Sequence, residues 1–369
     1  MQTFLTVMGM SAERIYLHTG ITGAVNVIII LLFAHFADSP RLIHRTALVQ
    51  LTGGALFLFY LPLCFSEEAG LFEFLLLIAV SVMQSVTTAL HTVCDYKLPY
   101  YVIKKDEYGR IMAFCGILSS GISFGIGSLL SALSMKYDYS VLMCFAFVVA
   151  FIFMAAAAAA TKKLRNISES EETVGITKTE SIRKASLKEV LGSPVFFRFI
   201  PANLIRGFAS GVTLVLAVIA ADRLHYSEQI TTLFVSVQAA ASLIGCTVFG
   251  LASKKISHSA SVFIGSLTFI LLPLLLIPDS PVLFLFLGGI IIFGRTLIDY
   301  AVPSLLLYIV PVEIAGPYNA YRMILHSGGS LIASALATAV PAEALVILAA
   351  VLQLISGICY IKIPASLRR

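Results

Sequence analysis

Two ionisable residues, Arg295 and Asp299, stand four positions apart inside an apolar stretch of the sequence from Val282 to Pro303. Residues at i and i+4 share one face of a helix, so a guanidinium group and a carboxylate at this spacing can pair. Ionisable side chains in such a stretch are costly and are candidate functional groups. Two interpretations stay open: a helix-stabilising ion pair, or a proton-coupling group at Asp299 that engages and releases Arg295 as it titrates.

Two other apolar stretches carry polar side chains at helical spacing. Gln84, Thr88 and His91 fall at i, i+4 and i+7, and a second set begins with Asn203 and Arg206 at i and i+3. Each set shares one helix face, and its polar groups can hydrogen-bond a solute. Arg206 has no carboxylate on its own stripe, so it can bind an anionic group of a solute or a phosphate, or extend its charge towards water at the helix end. These residues, together with Arg295, are candidate solute-binding residues, with helix packing as the alternative, above all for His91.

The composition around these residues requires a lipid environment. The chain of 369 residues is 59% hydrophobic and 12% charged, whereas soluble domains average about 25% charged residues. It contains eleven apolar stretches, each of about 20 residues, which is the length that crosses about 30 Å of hydrocarbon as a helix. The stretches are unbroken and do not alternate, which excludes a membrane β-barrel. The sequence therefore predicts an all-α, polytopic membrane protein in a lipid bilayer.

The apolar stretches divide into five and six around a polar segment, which predicts two pseudo-symmetric helical bundles. In the N-terminal bundle, residues 1–161, the predicted helices are 15–36, 46–65, 71–93, 111–135 and 140–161. A polar linker over 162–198 follows. In the C-terminal bundle, residues 199–369, the predicted helices are 199–221, 231–252, 260–277, 282–303, 318–340 and 344–363.

Basic residues concentrate at one end of the predicted helices. Besides those of the linker, they are Arg41, Arg45, Lys97, Lys104, Lys105, Arg110, Lys254, Lys255, Arg322, Arg368 and Arg369. The opposite loops carry as cations Arg14, Lys136 and Arg223. Because basic loops stay in the cytoplasm, the pattern predicts a multi-pass protein of the cell membrane with the linker and the C-terminus cytoplasmic. This placement accounts for the net charge of +5, and nucleic-acid binding is not expected.

The layout resembles the major facilitator superfamily over nearly the whole chain, as two six-helix bundles joined by a long cytoplasmic loop. Five of the first six helices are found here, so the resemblance implies that most of the family's first helix is missing. The family's loop between its second and third helices reads approximately G-x-L-A-D-x-x-G-R-R. Ala37 and Asp38 match it, with Arg41 in place of the second glycine. The resemblance implies that Asp38 is a gating carboxylate that pairs with a cation such as Arg110; a solvated loop acid is the alternative.

The predicted helix 111–135 resembles the glycine-rich fifth helix of this family. Gly121 and Gly125 form a GxxxG motif, which predicts a close approach to a neighbouring helix. By the same resemblance, the two polar stripes and the ionisable pair lie on the fourth, seventh and tenth helices. Together with the first helix, these helices line the family's central cavity.

These features predict a secondary active transporter of a small polar solute, a sugar or an organic anion, that works by alternating access. Protons are the candidate coupling ion, because Asp299 and the histidines can titrate. The sequence has no P-loop and no HExxH motif, so no enzyme activity, cofactor or metal site is expected. Two alternatives stay open: a non-transporting sensor or scaffold, and, less favoured, a membrane-embedded enzyme.

Overall fold

The computed structural model of the protein consists of helices joined by turns. It describes residues 10, 12–33, 35–36, 41–65, 70–98, 103, 107–133, 136–168, 187–193, 199, 201–212, 228–253, 255–276, 280–310, 312–337 and 339–361. Within these residues there is no β-strand, which confirms the all-α class.

The helix bounds follow the apolar stretches of the sequence. The first group is α1 Ala12–Leu32, α2 Leu42–Leu58, α3 Leu71–Lys97, α4 Tyr108–Leu133 and α5 Tyr139–Ser168. The second group is α6 201–212, α7 Glu228–Ala252, α8 His258–Leu267, α9 Pro281–Ile309, α10 Val312–Leu336 and α11 Ala342–Ile361. Shorter helical pieces are Leu61–Cys64, Leu187–Leu191 and the 3₁₀ turns Thr268–Leu271 and Pro273–Leu276. The change to 3₁₀ geometry after α8 follows from Pro273, which has no N–H to donate to an α-helix.

Several of these helices have the length and composition of membrane spans. Among the described residues, seven stretches qualify, and they are Leu42–Cys64, Leu71–Asp95, Tyr108–Leu130, Ser140–Leu164, His258–Leu276, Pro281–Leu307 and Ala342–Ile361. Shorter apolar segments occupy Leu17–Leu32 of α1 and Ser236–Ala252 of α7. The polytopic membrane class is thereby confirmed.

Two predicted helix ends at prolines are wrong. The helix α9 continues through Pro303 to Ile309, and α10 begins at Val312, before Pro317. Prolines are tolerated inside membrane helices because neighbouring groups can satisfy the carbonyl that a proline leaves free. The predicted linker bounds stay a prediction, with α5 reaching Ser168.

The helices pack as two bundles that meet along two seams. In the first bundle, α2 packs against α3 and α5, and α1 packs against α3. In the second, α9 packs against α7 and α8, and α8 packs against α11. Between the bundles, α4 packs along α7 and α1 packs along α10. This arrangement confirms the predicted two-bundle architecture.

Apolar clusters join the bundles at one end, which we call the linker end because α1 and α5 end there. Ile30 of α1, Leu42 of α2 and Val93 of α3 form one apolar cluster with Ala320 of α10. Tyr108, at the start of α4, joins the apolar core of the second bundle. The structure is therefore closed by apolar packing at the linker end, and we call the opposite end the far end.

The close approaches of α4 differ from the predicted GxxxG contact. They are made at Gly116 and Gly127, where an added Cβ would meet side chains of the second bundle. A Cβ at Gly121 or Gly125 would meet nothing within 4 Å in the described part of the chain. The prediction that Gly121 and Gly125 bring helices together is therefore wrong, because these two glycines lie on a different face of α4 from the seam.

Candidate solute and proton site

Asp299 of α9 lies between two guanidinium groups. Arg206 of α6 donates a hydrogen bond to one carboxylate oxygen, and the Nε atom of Arg295 lies 3.6 Å from the other. The side chain of Arg206 is 11% exposed, whereas those of Arg295 and Asp299 are 35% and 43% exposed. When all three groups are ionised, their sum is one positive charge. We call these three residues the charge cluster.

The charge cluster lies well inside the membrane-spanning region. From Asp299 to the end of α9 at Ile309 the helix advances by about 15 Å, at 1.5 Å per residue. A carboxylate that faced lipid at this depth would be costly. The guanidinium of Arg206, on a neighbouring helix, offsets that cost.

Glycines bring α6 and α10 into backbone contact beside Arg206. A Cβ at Gly207 would overlap the carbonyl oxygen of His326, and a Cβ at Gly329 would overlap backbone atoms of α6. The hydroxyl of Ser330 donates a hydrogen bond to the carbonyl oxygen of Gly207 at 2.8 Å. This crossing holds Arg206 in place and puts His326 within electrostatic reach of the charge cluster.

A second glycine contact holds α9 at Arg295. A Cβ at Gly294 would overlap the hydroxyl oxygen of Thr268 and would lie 2.6 Å from the carbonyl oxygen of Gly265 on α8. On α7, the hydroxyl of Ser242 accepts a hydrogen bond from Thr296 at 3.2 Å. Since α9 is tied to α8 and α7 in this way, Arg295 and Asp299 are presented from a well-packed helix.

Arg322 of α10 extends the positive character of this region. It is 3% exposed, and its Nε atom donates a hydrogen bond to Asn319 Oδ1 at 3.3 Å. It also interacts electrostatically with His326 and Tyr360. The sequence placed Arg322 among the basic residues of loops and helix ends. That interpretation is wrong, because α10 begins at Val312 and Arg322 lies inside the helix.

Asn203, on the same helix as Arg206, is 2% exposed. Its Nδ2 atom donates a hydrogen bond to the carbonyl oxygen of Phe199 at 2.8 Å, and its Oδ1 atom accepts one from the hydroxyl of Tyr360 at 3.5 Å. Both ends of the amide are thus engaged inside the second bundle. Asn203 lies beside the charge cluster, and the contacts it makes here are packing contacts.

His91 of α3 belongs to a hydrogen-bonded chain inside the first bundle. Its Nδ1 atom lies 2.8 Å from a carboxylate oxygen of Asp95, and its Nε2 atom lies 3.0 Å from Gln50 Nε2 on α2. The Oε1 atom of Gln50 accepts a hydrogen bond from Thr161 of α5 at 2.9 Å. These hydrogen bonds link α2, α3 and α5, so in this conformation His91 stabilises the first bundle.

The other two residues of the α3 stripe have different surroundings. The amide oxygen of Gln84 is buried and has no hydrogen-bond partner among the described residues. Thr88 is exposed. A buried acceptor without a donor is costly, which makes Gln84 the member of the stripe best suited to accept a hydrogen bond from a solute. The stripe lies on the first bundle, whereas the charge cluster lies on the second.

The predicted gate involves the loop between α1 and α2. Asp38 lies outside the described residues, so its pairing with Arg110, which is exposed near the start of α4, stays a prediction.

Sequence reasoning missed a contact in the same loop. Arg45 donates a hydrogen bond to the carbonyl oxygen of Phe36 at 2.7 Å, and its guanidinium lies 4.8 Å from the centre of the Phe36 ring. This contact anchors the start of the loop.

Comparison with known proteins decides the family. The profile of the Major Facilitator Superfamily matches residues 1–334. The chain belongs to this superfamily. No curated protein matches it. Among the crystal structures that share its fold are two of a bacterial homologue of the iron transporter ferroportin in an outward-facing state, one of them with soaked iron. Their TM-scores are 0.71 and 0.68 at 15% and 14% sequence identity, over 98% of this chain and 92% of theirs.

The Major Facilitator Superfamily consists of membrane transporters. Its helix order shows which of the family's helices carry the charge cluster. In the family numbering used above, α3, α6 and α9 are the fourth, seventh and tenth helices. The charge cluster therefore lies on two of the helices that we expect to line the cavity. Within the described residues, no group of three or more His, Cys, Asp or Glu side chains is arranged to hold a metal ion.

Proposed function

We propose that this member of the superfamily is a proton-coupled secondary transporter of a small organic anion. It works by alternating access in the cell membrane, with the linker and the C-terminus in the cytoplasm. The observation that carries the proposal is the charge cluster, in which two arginines share one carboxylate between α6 and α9. Its positive excess, together with the buried Arg322, favours an anionic solute over a neutral sugar.

Asp299 and the solute compete for the same guanidinium groups. While Asp299 is ionised, it occupies Arg206. A proton on Asp299 removes that charge, and Arg206 and Arg295 then accept the carboxylate or phosphate of a solute. With a bound monoanion, the sum is again one positive charge, so proton and anion move together at little electrostatic cost. Since the linker end is closed, the solute enters this conformation from the far end.

The remaining predicted site residues keep the roles that spacing and family resemblance suggest. We assign solute contacts to Gln84 and Thr88, and gating to Asp38 and Arg110. His91 and Asn203 stay proposed solute contacts for another conformation, because their polar groups bond within their own bundles in this one. Gln84 has the strongest physical support of these, because its buried amide oxygen lacks a donor among the described residues.

Uptake into proteoliposomes under an imposed pH gradient tests the proposal. The panel contains carboxylates, phosphate esters and neutral sugars, and also ferrous iron, because the structures of the same fold belong to a homologue of an iron transporter. We expect the native chain to accumulate an anion when the gradient is applied. Asp299→Asn should abolish this accumulation and keep solute exchange, since a neutral amide leaves the arginines free for the anion.

Asp138→Asn is the matched control, because Asp138 is an exposed carboxylate at the far end. If uptake by the native chain and uptake by Asp299→Asn depended equally on the pH gradient, the charge cluster would have only a structural role. Accumulation of sugars or iron alone would refute the anion assignment. Uptake of no compound would favour the sensor or scaffold.

A further inference from the structure

Three helices from the two bundles meet at Gly116 of α4. Gly116 is buried, and a Cβ added there would overlap the hydroxyl oxygen of Tyr300 of α9 and the sulfur atom of Cys246 of α7. Cys246 is fully buried, and its thiol lies close to the hydroxyl of Tyr300 and to the side chain of Ser120 on α4. Polar atoms of both bundles thus lie together at a single point. We call these four residues the notch.

The notch belongs to the seam that closes the linker end. Closer to that end, a Cβ at Gly109 of α4 would lie 3.6 Å from the hydroxyl oxygen of Ser304 on α9. A Cβ at Gly250 of α7 would lie 3.1 Å from the Cβ of Ala113 on α4. Since α4 lies against α7 and α9 along this stretch, it can leave them only if the hydroxyl of Tyr300 leaves the notch.

Tyr300 is the sequence neighbour of Asp299, and the two side chains reach different helices. Successive residues of a helix are about 100° apart, so Asp299 reaches Arg206 on α6 while Tyr300 reaches α4. Asp299 is close enough to interact electrostatically with both Tyr300 and Cys246. In addition, α9 is weakened here, because Pro303 cannot donate the helical hydrogen bond to the carbonyl oxygen of Asp299. A change at Asp299 can therefore move Tyr300.

We propose that Tyr300 is the positioning residue that couples the charge cluster to the seating of α4 on the second bundle. The proposal rests on the proposed function, because it takes Asp299 as the group whose charge changes during transport. Ionised Asp299, bound by Arg206, keeps the Tyr300 hydroxyl in the notch and the linker end closed. Loss of the charge releases α9 from α6, withdraws Tyr300 and lets α4 separate from α7 and α9.

Alkylation of Cys246 reports the state of the notch without any solute. The native chain in proteoliposomes should react slowly with N-ethylmaleimide at this buried thiol, and mass spectrometry of the Cys246 peptide separates it from the other cysteines. Tyr300→Phe removes the hydroxyl and Asp299→Asn removes the charge, and each should raise the labelling rate roughly tenfold. The double variant should label no faster than Tyr300→Phe alone, because both changes act through one contact.

Matched variants separate this coupling from a general loosening of the fold. Gly116→Ala fills the notch and should also speed the labelling of Cys246. Gly121→Ala, on the same helix, adds a Cβ with nothing within 4 Å among the described residues and should leave the rate unchanged. Tyr137→Phe removes the hydroxyl of an exposed tyrosine at the far end and should also have no effect.

The proposal is overturned if Tyr300→Phe leaves the labelling rate unchanged. It is equally overturned if Asp299→Asn has the same effect with and without the Tyr300 hydroxyl, which is the result that a merely structural tyrosine would give. Labelling needs no transported solute, so its outcome is read independently of the uptake assay. A chain without proton-dependent uptake that still shows the non-additive labelling would refute the proposed function alone.

Discussion

Asp299 receives its two arginines from different places in the chain. Arg295 lies one helical turn earlier on α9, where its spacing is visible in the sequence, whereas Arg206 is 93 residues away. Arg206 is the directly hydrogen-bonded and less exposed partner, while Arg295 stands off at 3.6 Å. The main neutralisation of Asp299 therefore comes from the residue that sequence spacing does not connect with it.

Removal of Arg206 should separate the structural from the functional role of this pair. Arg206→Gln should lower the free energy of unfolding by roughly 1–3 kcal/mol, below the range for fully buried pairs because solvent screens part of Asp299, and should abolish uptake. The double variant Arg206→Gln/Asp299→Asn should regain part of that stability but not uptake, because the carboxylate that lacked its main partner is gone and the remaining charge, Arg295, is 35% exposed. Circular dichroism melting and uptake assays measure both. If the double variant recovered uptake, the pair would be only structural. Lys136→Gln, which removes a charge at the far end, is the control.

At the scale of elements, the charge cluster depends on how closely its helices approach one another. The crossing of α6 and α10 is made of Gly207, Gly329 and the hydrogen bond from Ser330, and the contact of α8 and α9 is made of Gly265 and Gly294. Each of the two site arginines directly follows or precedes one of these glycines in the sequence. Backbone contact thus limits the positions that the guanidinium groups can take.

A methyl group at the α6–α10 crossing should disturb both stability and the site. Gly207→Ala would place its Cβ against the carbonyl of His326, so we expect a loss of about 1–3 kcal/mol in the free energy of unfolding together with a loss of uptake. Gly328→Ala is the matched control, since its Cβ would meet nothing within 4 Å in the described part of the chain. It should be neutral or stabilise α10 by up to about 1 kcal/mol. Equal melting temperatures for the two variants would contradict the close approach.

At the scale of the molecule, two seams join the bundles and one end is closed. The contacts of α4 with α7 and of α1 with α10 run between the bundles, and the apolar cluster around Ala320 closes the linker end. The basic loop residues gather at the same end. In the proposed topology, which follows the positive-inside rule, that end lies in the cytoplasm, and the charge cluster would then communicate with the outside in this conformation.

Labelling of introduced cysteines in intact cells tests this orientation. Tyr137→Cys lies at the far end and Ile256→Cys at the linker end, and the native side chains are 56% and 39% exposed. A membrane-impermeant maleimide should label the Tyr137→Cys chain in intact cells. It should label the Ile256→Cys chain only after the cells are permeabilised, with the native chain as the background. The reverse pattern would invert the proposed topology.

Sequence alone predicted which segments form helices of membrane-spanning length, and seven such stretches are found among the described residues. In lipid the backbone has no hydrogen-bond partner except itself, so an unbroken apolar stretch of spanning length has to become a helix. Charged breaks then mark the ends of the helices and their alternation. The prediction was wrong at Pro303 and Pro317, because contacts with other helices, which the local sequence does not contain, allow a proline inside a span.

Tertiary structure alone decided which helix faces meet. The faces of a membrane helix towards lipid and towards protein are both apolar, so hydrophobic periodicity does not set the rotation of the helix about its axis. The bond of Arg206 to Asp299 and that of His91 to Gln50 depend on this rotation and on which distant helices pair. For the same reason, the sequence contains the glycines of α4, but only the packed structure shows that Gly116 and Gly127 are the ones that face side chains of the other bundle.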